Sequence, residues 1–266
     1  MHLKINHTTV YTYDQPVDYA LQQLRLIPRS GHGQRVLEWN STVTGGTKQL
    51  AFDDQFTNRV ELVQMDEGAS MIRIVSHGDV VTEDRNGIVG KHKGYAPLWL
   101  FESATEITRP GRQIEALARE FGDGDKDMLE GLHALSAAVL ERVRYETGHT
   151  DSRTTAEDAL KAGRGVCQDH AHIMIATARA MGRPARYVSG YLMMDETDEQ
   201  DASHAWAEIW VDDIGWIGFD AANGICPDDR YVRVAVGRDY RDAAPVHGLR
   251  TSATGETLSV SLHVQQ

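Results

Sequence analysis

The chain of 266 residues holds only two cysteines, Cys167 and Cys226. Two thiols cannot make a disulfide framework, and these two lie in such different local contexts that a bridge is not expected. Both read as free. Nowhere does an apolar run approach the ~18 residues that a membrane span needs, and the start, "MHLKINHTTVYTY", has no apolar core of a secretory leader. A cytoplasmic protein without membrane association is expected. Basic residues are also scarce: 27 Lys and Arg against 39 Asp and Glu give a net charge of -12. A chain of that sign repels phosphate backbones unless it carries a concentrated basic patch, and none is present, so no nucleic acid partner is expected. There is no repeat and no low-complexity tract. What the sequence does have is 41% apolar residues, enough at this length for one large domain or two modest ones with real cores.

Residues 1–105 carry short β-type runs, "LKINHTTVYTY", "LQQLRLIP", "VLEWNSTV", "TNRVELVQM" and "SMIRIVSHGDVVTE", separated by Gly, Asn and Asp turns. Their alternation, clearest at Val60, Leu62 and Met71 to Val75, predicts an all-β, sandwich-like domain without a catalytic constellation. From residue 106 onward the spacing turns helical, through Ile114, Leu117, Ala118 and Phe121 and then Leu129, Leu132, Ser136, Val139 and Val143. In "TTAEDALKAG", Thr154 with Glu157 three residues on predicts a capping box, and Gly163 predicts the helix stop.

Cys167 lies in "GRGVCQDHAHI", directly after that stop and a short Gly-containing loop, where a second helix is predicted to begin and run to Gly182. A thiol at a helix N-terminus feels the positive end of the dipole and unpaired backbone N–H groups, which favour thiolate. The same N–H groups can donate to the oxyanion formed when sulfur attacks a carbonyl. On position alone, an inert interior cysteine is an equal alternative.

Downstream, "SHAWAEIWV" alternates strictly, so His204, Trp206, Glu208 and Trp210 share one face of a strand. "DDIG" is turn chemistry and "WIGFD" returns as a strand, which predicts a hairpin with Asp220 within one to three positions of the point opposite His204. A histidine beside a carboxylate is held in one tautomer and stabilised as imidazolium, as the base for a thiol nucleophile requires.

With these residues in view, "GRGVCQDHAHIMIATARAMGRPARYVSGYL", "SHAWAEIWV" and "GWIGFDAANG" are similar to the bacterial transglutaminase-like family of candidate cysteine proteases. The first half resembles the β-rich region that precedes that domain in many members. The resemblance implies an α+β chain, with a papain-like, transglutaminase-like core over residues 106–266 after the all-β domain of 1–105. It implies Cys167 as nucleophile, His204 as general base and Asp220 as the residue that orients His204, with a peptide or protein substrate and no cofactor. Where the family reads Asp-Pro-Thr-Asn, this chain has Asp220, Ala221, Ala222 and Asn223, which keeps the acid and the Asn and is expected to loosen the turn. "VGRDYRDAAPVHG" also resembles a family segment, without a chemical role for Arg238, Asp239 or Asp242.

Other readings compete for some residues. Cys167, His170 and His172 could suggest zinc, but at about 100° per helical residue His172 points roughly 140° from Cys167, so no metal site is expected. His170 is a packed core histidine or a neighbour of the thiol, and His172 is structural or exposed. Gln168 and Asp169 either contact substrate or brace the loop. Trp206 is cleft wall or substrate contact, and Asn223 is a candidate support for the triad. The acidic run Asp195 to Asp201 carries oxygen ligands but lacks the order of a calcium loop, and reads as solvated. Three functions remain open on sequence: amide hydrolysis by a thiol, transfer of the acyl group to an amine, and a silent peptide-binding member.

Overall fold

The structure, a computed structural model, describes residues 1–17, 19–122, 128–194, 199–200, 202–250 and 255–266. The first half consists of β1 (His2–Tyr13), β2 (Ala20–Ile27), β3 (Gln34–Thr44), β4 (Gly46–Asp53), β5 (Arg59–Met65), β6 (Met71–Thr82) and β7 (Ile88–Gly90). A 3-10 turn at Leu98–Phe101 leads to α1 (Arg112–Phe121), α2 (Met128–Arg142), β8 (Arg144–Tyr145), α3 (Ala156–Ala162), β9 (Arg164–Gly165) and α4 (Cys167–Ala180). Then follow β10 (Ala185–Leu192), β11 (Glu199–Gln200), β12 (His204–Val211), β13 (Gly215–Phe219), β14 (Tyr231–Gly237), α5 (Tyr240–Ala243), β15 (Val246–Arg250) and β16 (Glu256–Gln265).

Two antiparallel sheets, in the orders β11-β16-β1-β6-β3 and β15-β2-β5-β4, form the expected sandwich. Leu24, Leu26, Val63 and Met65 of one sheet meet Ile72 and Ile74 of the other in its core. The last two strands of the chain complete these sheets, β16 along β1 and β15 along β2, so both ends of the sequence build the β-rich half. Strand β4 carries no alternating burial, because it lies on a sheet edge with nearly every residue exposed. That is why the hydrophobic pattern did not announce it.

The second half is built on the sheet β14-β10-β12-β13-β7, with α4 against one face. All eight residues of β10 are buried, as in a strand covered on both faces. In β12 the alternation is one of size. Ala205, Ala207, Ile209 and Val211 join the core under α4, while Trp206 packs on the opposite side with Phe101, Trp216 and Tyr231. Two alanines let the helix approach the strand closely. On the opposite face, buried Glu208 pairs with Arg186 at 2.6 Å and Arg233 at 2.9 Å. Burial alone would push its carboxyl up, but the two guanidinium groups outweigh it and hold the group at about 2. Among the described residues, no helix is long and apolar enough to cross a membrane.

One helix start differs from expectation. The cap of α3 is Thr155, whose hydroxyl accepts from Asp158 N at 3.1 Å; Thr154 instead accepts from Asp151 N at 2.9 Å in the preceding turn. Glu157 does not close a capping box. Its carboxylate reaches α1, accepting from Gln113 N at 2.9 Å and Ile114 N at 3.0 Å, and so caps a neighbouring helix. Local spacing identifies a cap residue but not which helix it serves. Gly163 ends α3 as expected, at φ 65°. Of the "VGRDYRDAAPVHG" residues, Asp239 caps α5 by accepting from Arg241 N at 2.9 Å, and Arg238 pairs with Asp242 at 2.9 Å. All three have structural partners.

Candidate active site

Cys167 is the first residue of α4, after an extended Val166. The short parallel pair of β8 and β9, Arg144 with Arg164 and Tyr145 with Gly165, brings the chain to that point. Asp169 then fixes the loop: its Oδ2 accepts from Val166 N at 2.8 Å and from the Thr150 hydroxyl at 2.7 Å. A Cβ at position 165 would lie 2.6 Å from that oxygen, so only glycine fits there. Burial pushes the Asp169 carboxyl up, against the two hydrogen bonds that pull it down. Asp169 therefore braces the loop that leads to Cys167, the second of its two expected roles. The backbone N–H groups of Cys167 and Gln168 belong to the first turn, where no intrahelical acceptor exists. Gln168 is half-buried beside the thiol.

His170 is fully buried, with its two ring nitrogens 2.9 Å from the Val166 carbonyl and 2.8 Å from the Val143 carbonyl. It ties the start of α4 to the end of α2. His172 is equally buried and accepts from Tyr240 N at 3.2 Å, with its ring 5.0 Å from that of Tyr187. Burial, with a smaller push from Arg179, lowers it to about 3. Both histidines are thus engaged within the fold, and among the described residues no group of three His, Cys, Asp or Glu is arranged to hold a metal ion.

His204 opens β12, and the hairpin pairs Ala207 with Phe219. Continuing that register by one step sets Asp220 across from Trp206, two residues from His204 and inside the expected window. The His204 Nε2 lies 2.6 Å from Asp220 Oδ2, and Cys167 is, with Asp220, a partner that helps to keep the ring protonated. Cys167, His204 and Asp220 are therefore gathered at one site. Burial pulls the imidazole down, but the interactions with Asp220 and Cys167 outweigh it and raise the ring to about 10. Burial likewise pushes Asp220 up, and its bonds from His204, Asn223 and Tyr231 more than reverse this. The two shifts agree in sign with one ion pair.

Asp220 is the most heavily supported group in the site. Its Oδ2 accepts from His204, from the Asn223 amide at 2.7 Å and from the Tyr231 hydroxyl at 2.7 Å. Its Oδ1 accepts from Ala222 N at 3.1 Å and Asn223 N at 3.4 Å, and Asp220 and Ile225 exchange both backbone hydrogen bonds. The turn after the acid is therefore closed, not loosened as its Ala221 and Ala222 suggested. The acid's own side chain supplies the ties that proline and threonine were expected to provide. Asn223 also stands 3.4 Å from His204 Nε2. Trp206 is buried, its ring stacked 6.3 Å from His204 and edge-on 5.4 Å from Tyr231. Thr150 and Tyr231 were not anticipated: each reaches the site through pairings distant in sequence, β14 with β10 and β8 with β9. In the acidic run Asp195 to Asp201, positions 195–198 and 201 lie outside the described residues; the backbone of Glu199–Gln200 forms β11 against β16.

Residues 115–221, which include Cys167, His204 and Asp220, match the model of the transglutaminase-like superfamily, and residues 3–81 match that of the bacterial transglutaminase-like N-terminal region. Its core region, residues 115–221, is thus transglutaminase-like. Relatives of the chain include an uncharacterised Mycobacterium leprae protein, 27% identical over 276 residues and 98% of each chain. A Mycobacterium tuberculosis protein is 28% identical over 289 residues, 98% of this chain and 91% of that one. A protein-glutamine gamma-glutamyltransferase of Pseudomonas aeruginosa is 29% identical over 139 residues, 44% of this chain and 20% of that protein. In fold, the chain is similar to a candidate cysteine protease from Cytophaga hutchinsonii, with a TM-score of 0.77 at 21% identity, covering 100% of this chain and 98% of that one.

The two thiols differ sharply in setting. Cys226, half-buried in the turn after Gly224, has its thiol pushed up by burial, whereas Cys167 sits at a helix N-terminus on the histidine. Iodoacetamide at pH 6 is expected to modify Cys167 well before Cys226, read by peptide mass spectrometry. Equal labelling, or Cys226 first, would contradict an activated Cys167.

Proposed function

We propose that the protein hydrolyses peptide or side-chain amide bonds through a thioester formed on Cys167. The observation that carries this reading is the chain of contacts from Asp220 through His204 to a cysteine on the first turn of α4. The Cys167 sulfur attacks the amide carbonyl carbon, and its proton resides on His204, whose charge Asp220 balances. The carbonyl oxygen becomes an oxyanion facing the free amides at the start of α4. As the tetrahedral species collapses, the C–N bond breaks and His204 gives its proton to the leaving amine. Water, deprotonated by His204, then attacks the thioester; the C–S bond breaks, the acid is released, and the proton stays on His204 opposite the Cys167 sulfur, as at the start.

A second reading, transfer of the acyl group to an amine, is favoured by the similarity to the Pseudomonas aeruginosa gamma-glutamyltransferase. Both reactions share the thioester, so the triad does not separate them. What supports water as acceptor is that Cys167 is only half-buried, so the thioester is open to solvent. Incubation with a peptide mixture and an isotope-labelled primary amine, followed by mass spectrometry, is expected to give mainly cleaved peptide or free acid. If most product carried the amine, the protein would be an acyltransferase. Unchanged peptides would point to a silent binding member.

A further inference from the structure

The strand β14 is the edge of the central sheet next to β10, and its outer side is covered by side chains from the β-rich half. Gln34, the first residue of β3, spans Arg233: its amide nitrogen donates to the Arg233 carbonyl at 2.8 Å and its Oε1 accepts from Arg233 N at 2.8 Å. Asn58, just before β5, does the same at Val236, donating to the carbonyl at 2.7 Å and accepting from the N–H at 2.8 Å. Two side-chain amides thus take the place of a neighbouring strand, satisfying backbone groups that an edge would leave unpaired. A third grip is the Thr82 hydroxyl donating to the Asp229 carbonyl. Val232 and Val234 lie in one cluster with Leu3, Ile5 and Leu262 of the β-rich half. Every grip falls within residues 229–236.

That segment contains Tyr231, 5% exposed, with its hydroxyl 2.7 Å from Asp220 Oδ2 and its ring 5.9 Å from that of His204. A phenylalanine would fill the same space, so packing alone does not account for the hydroxyl. Its hydrogen bond favours the ionised carboxyl and fixes which oxygen faces His204. The geometry points to Tyr231 as a positioning residue for the triad acid, held in register by the β-rich half through the Gln34 and Asn58 clamps on β14. This rests on the reading of Cys167, His204 and Asp220 as a triad. It assigns the first half of the chain a part in tuning the site, although that half supplies no residue that touches Cys167 or His204 in the described contacts.

The test follows the rate of Cys167 alkylation by iodoacetamide against pH in the full chain, for wild type, Tyr231→Phe, Gln34→Ala and the double variant, with melting curves alongside. Loss of one of three donors on Oδ2 raises the pH at which Asp220 becomes protonated and His204 loses its counter-charge. Tyr231→Phe is therefore expected to move the acid limb toward neutral by about one pH unit, about a tenfold slower reaction at a fixed pH on that limb. Gln34→Ala should shift it the same way by less, and the double variant no further than Tyr231→Phe, because the clamp acts through Tyr231. Should Gln34→Ala melt below the assay temperature, Gln34→Glu, which keeps the acceptor and loses the donor, replaces it. An unmoved acid limb in Tyr231→Phe would reduce Tyr231 to packing, and strictly additive shifts would detach the clamp from it. If wild-type Cys167 reacts no faster than Cys226, the triad reading itself fails, an outcome distinct from both.

Discussion

Cys167→Ala is expected to abolish amide turnover while leaving the fold in place. The residue is half-buried at the start of a helix whose core contacts come from later positions such as Ile173, Met174 and Ile175. His204→Ala should do nearly the same, and the double variant should lose no more, because in the proposed mechanism nucleophile and base act as one unit. The loss is on the order of 10⁵ to 10⁶ in kcat by analogy with other such units, measured as product formed per enzyme. Additive losses would mean that the two residues do not work together. In the proposed mechanism the same pair sets the alkaline side of the pH profile. The proton that His204 delivers to the leaving amine is held up to about pH 10, so kcat should fall as pH rises through that value. Stability follows the same sign: a ring raised from 6.5 stabilises the fold fully below 6.5, and that contribution is lost as pH rises toward about 10.

Asp220→Asn is expected to lower kcat by about 10² to 10⁴, by analogy with other triads. The structure supplies the reason. The carboxylate accepts from five donors, three on Oδ2 and two backbone N–H groups on Oδ1. An amide nitrogen at either position confronts donors with a donor. Turned toward Oδ2, it faces His204, Asn223 and Tyr231 and drives His204 into the wrong tautomer; turned toward Oδ1, it faces Ala222 N and Asn223 N. Stability should also drop, by about 1–3 kcal/mol for buried donors left unsatisfied. In the wild type, the contribution of Asp220 is present above its ordinary 3.8 and is lost as pH falls through its depressed native value. Full activity in Asp220→Asn would mean that Asn223, 3.4 Å from the ring, orients His204 instead.

Much of this arrangement is legible in the sequence because its parts are local. The glycine stop at Gly163, the helix start at Cys167 and the hairpin from His204 to Asp220 each depend on a few adjacent residues, and the hairpin register limits how far Asp220 can stand from His204. What could not be read depends on distant pairings. Tyr231 reaches Asp220 only because β14 lies beside β10 instead of the adjacent hairpin, and Thr150 reaches Asp169 from the loop between β8 and α3. Glu157 has the local look of a capping-box residue, yet it serves α1, 43 residues away at Ile114. Strand β4 was silent because an exposed edge needs no apolar alternation. The closing of β16 on β1 is likewise a contact between chain ends that no window of sequence contains.

The claim on which everything else depends is that an acyl group passes through the Cys167 sulfur. Intact-protein mass spectrometry after rapid acid quench with an activated acyl ester tests it directly. The expected result is a single acyl adduct that maps to the peptide containing Cys167, is released by hydroxylamine, and is absent in Cys167→Ala. An adduct on Cys226, or one that persists in Cys167→Ala, would contradict it.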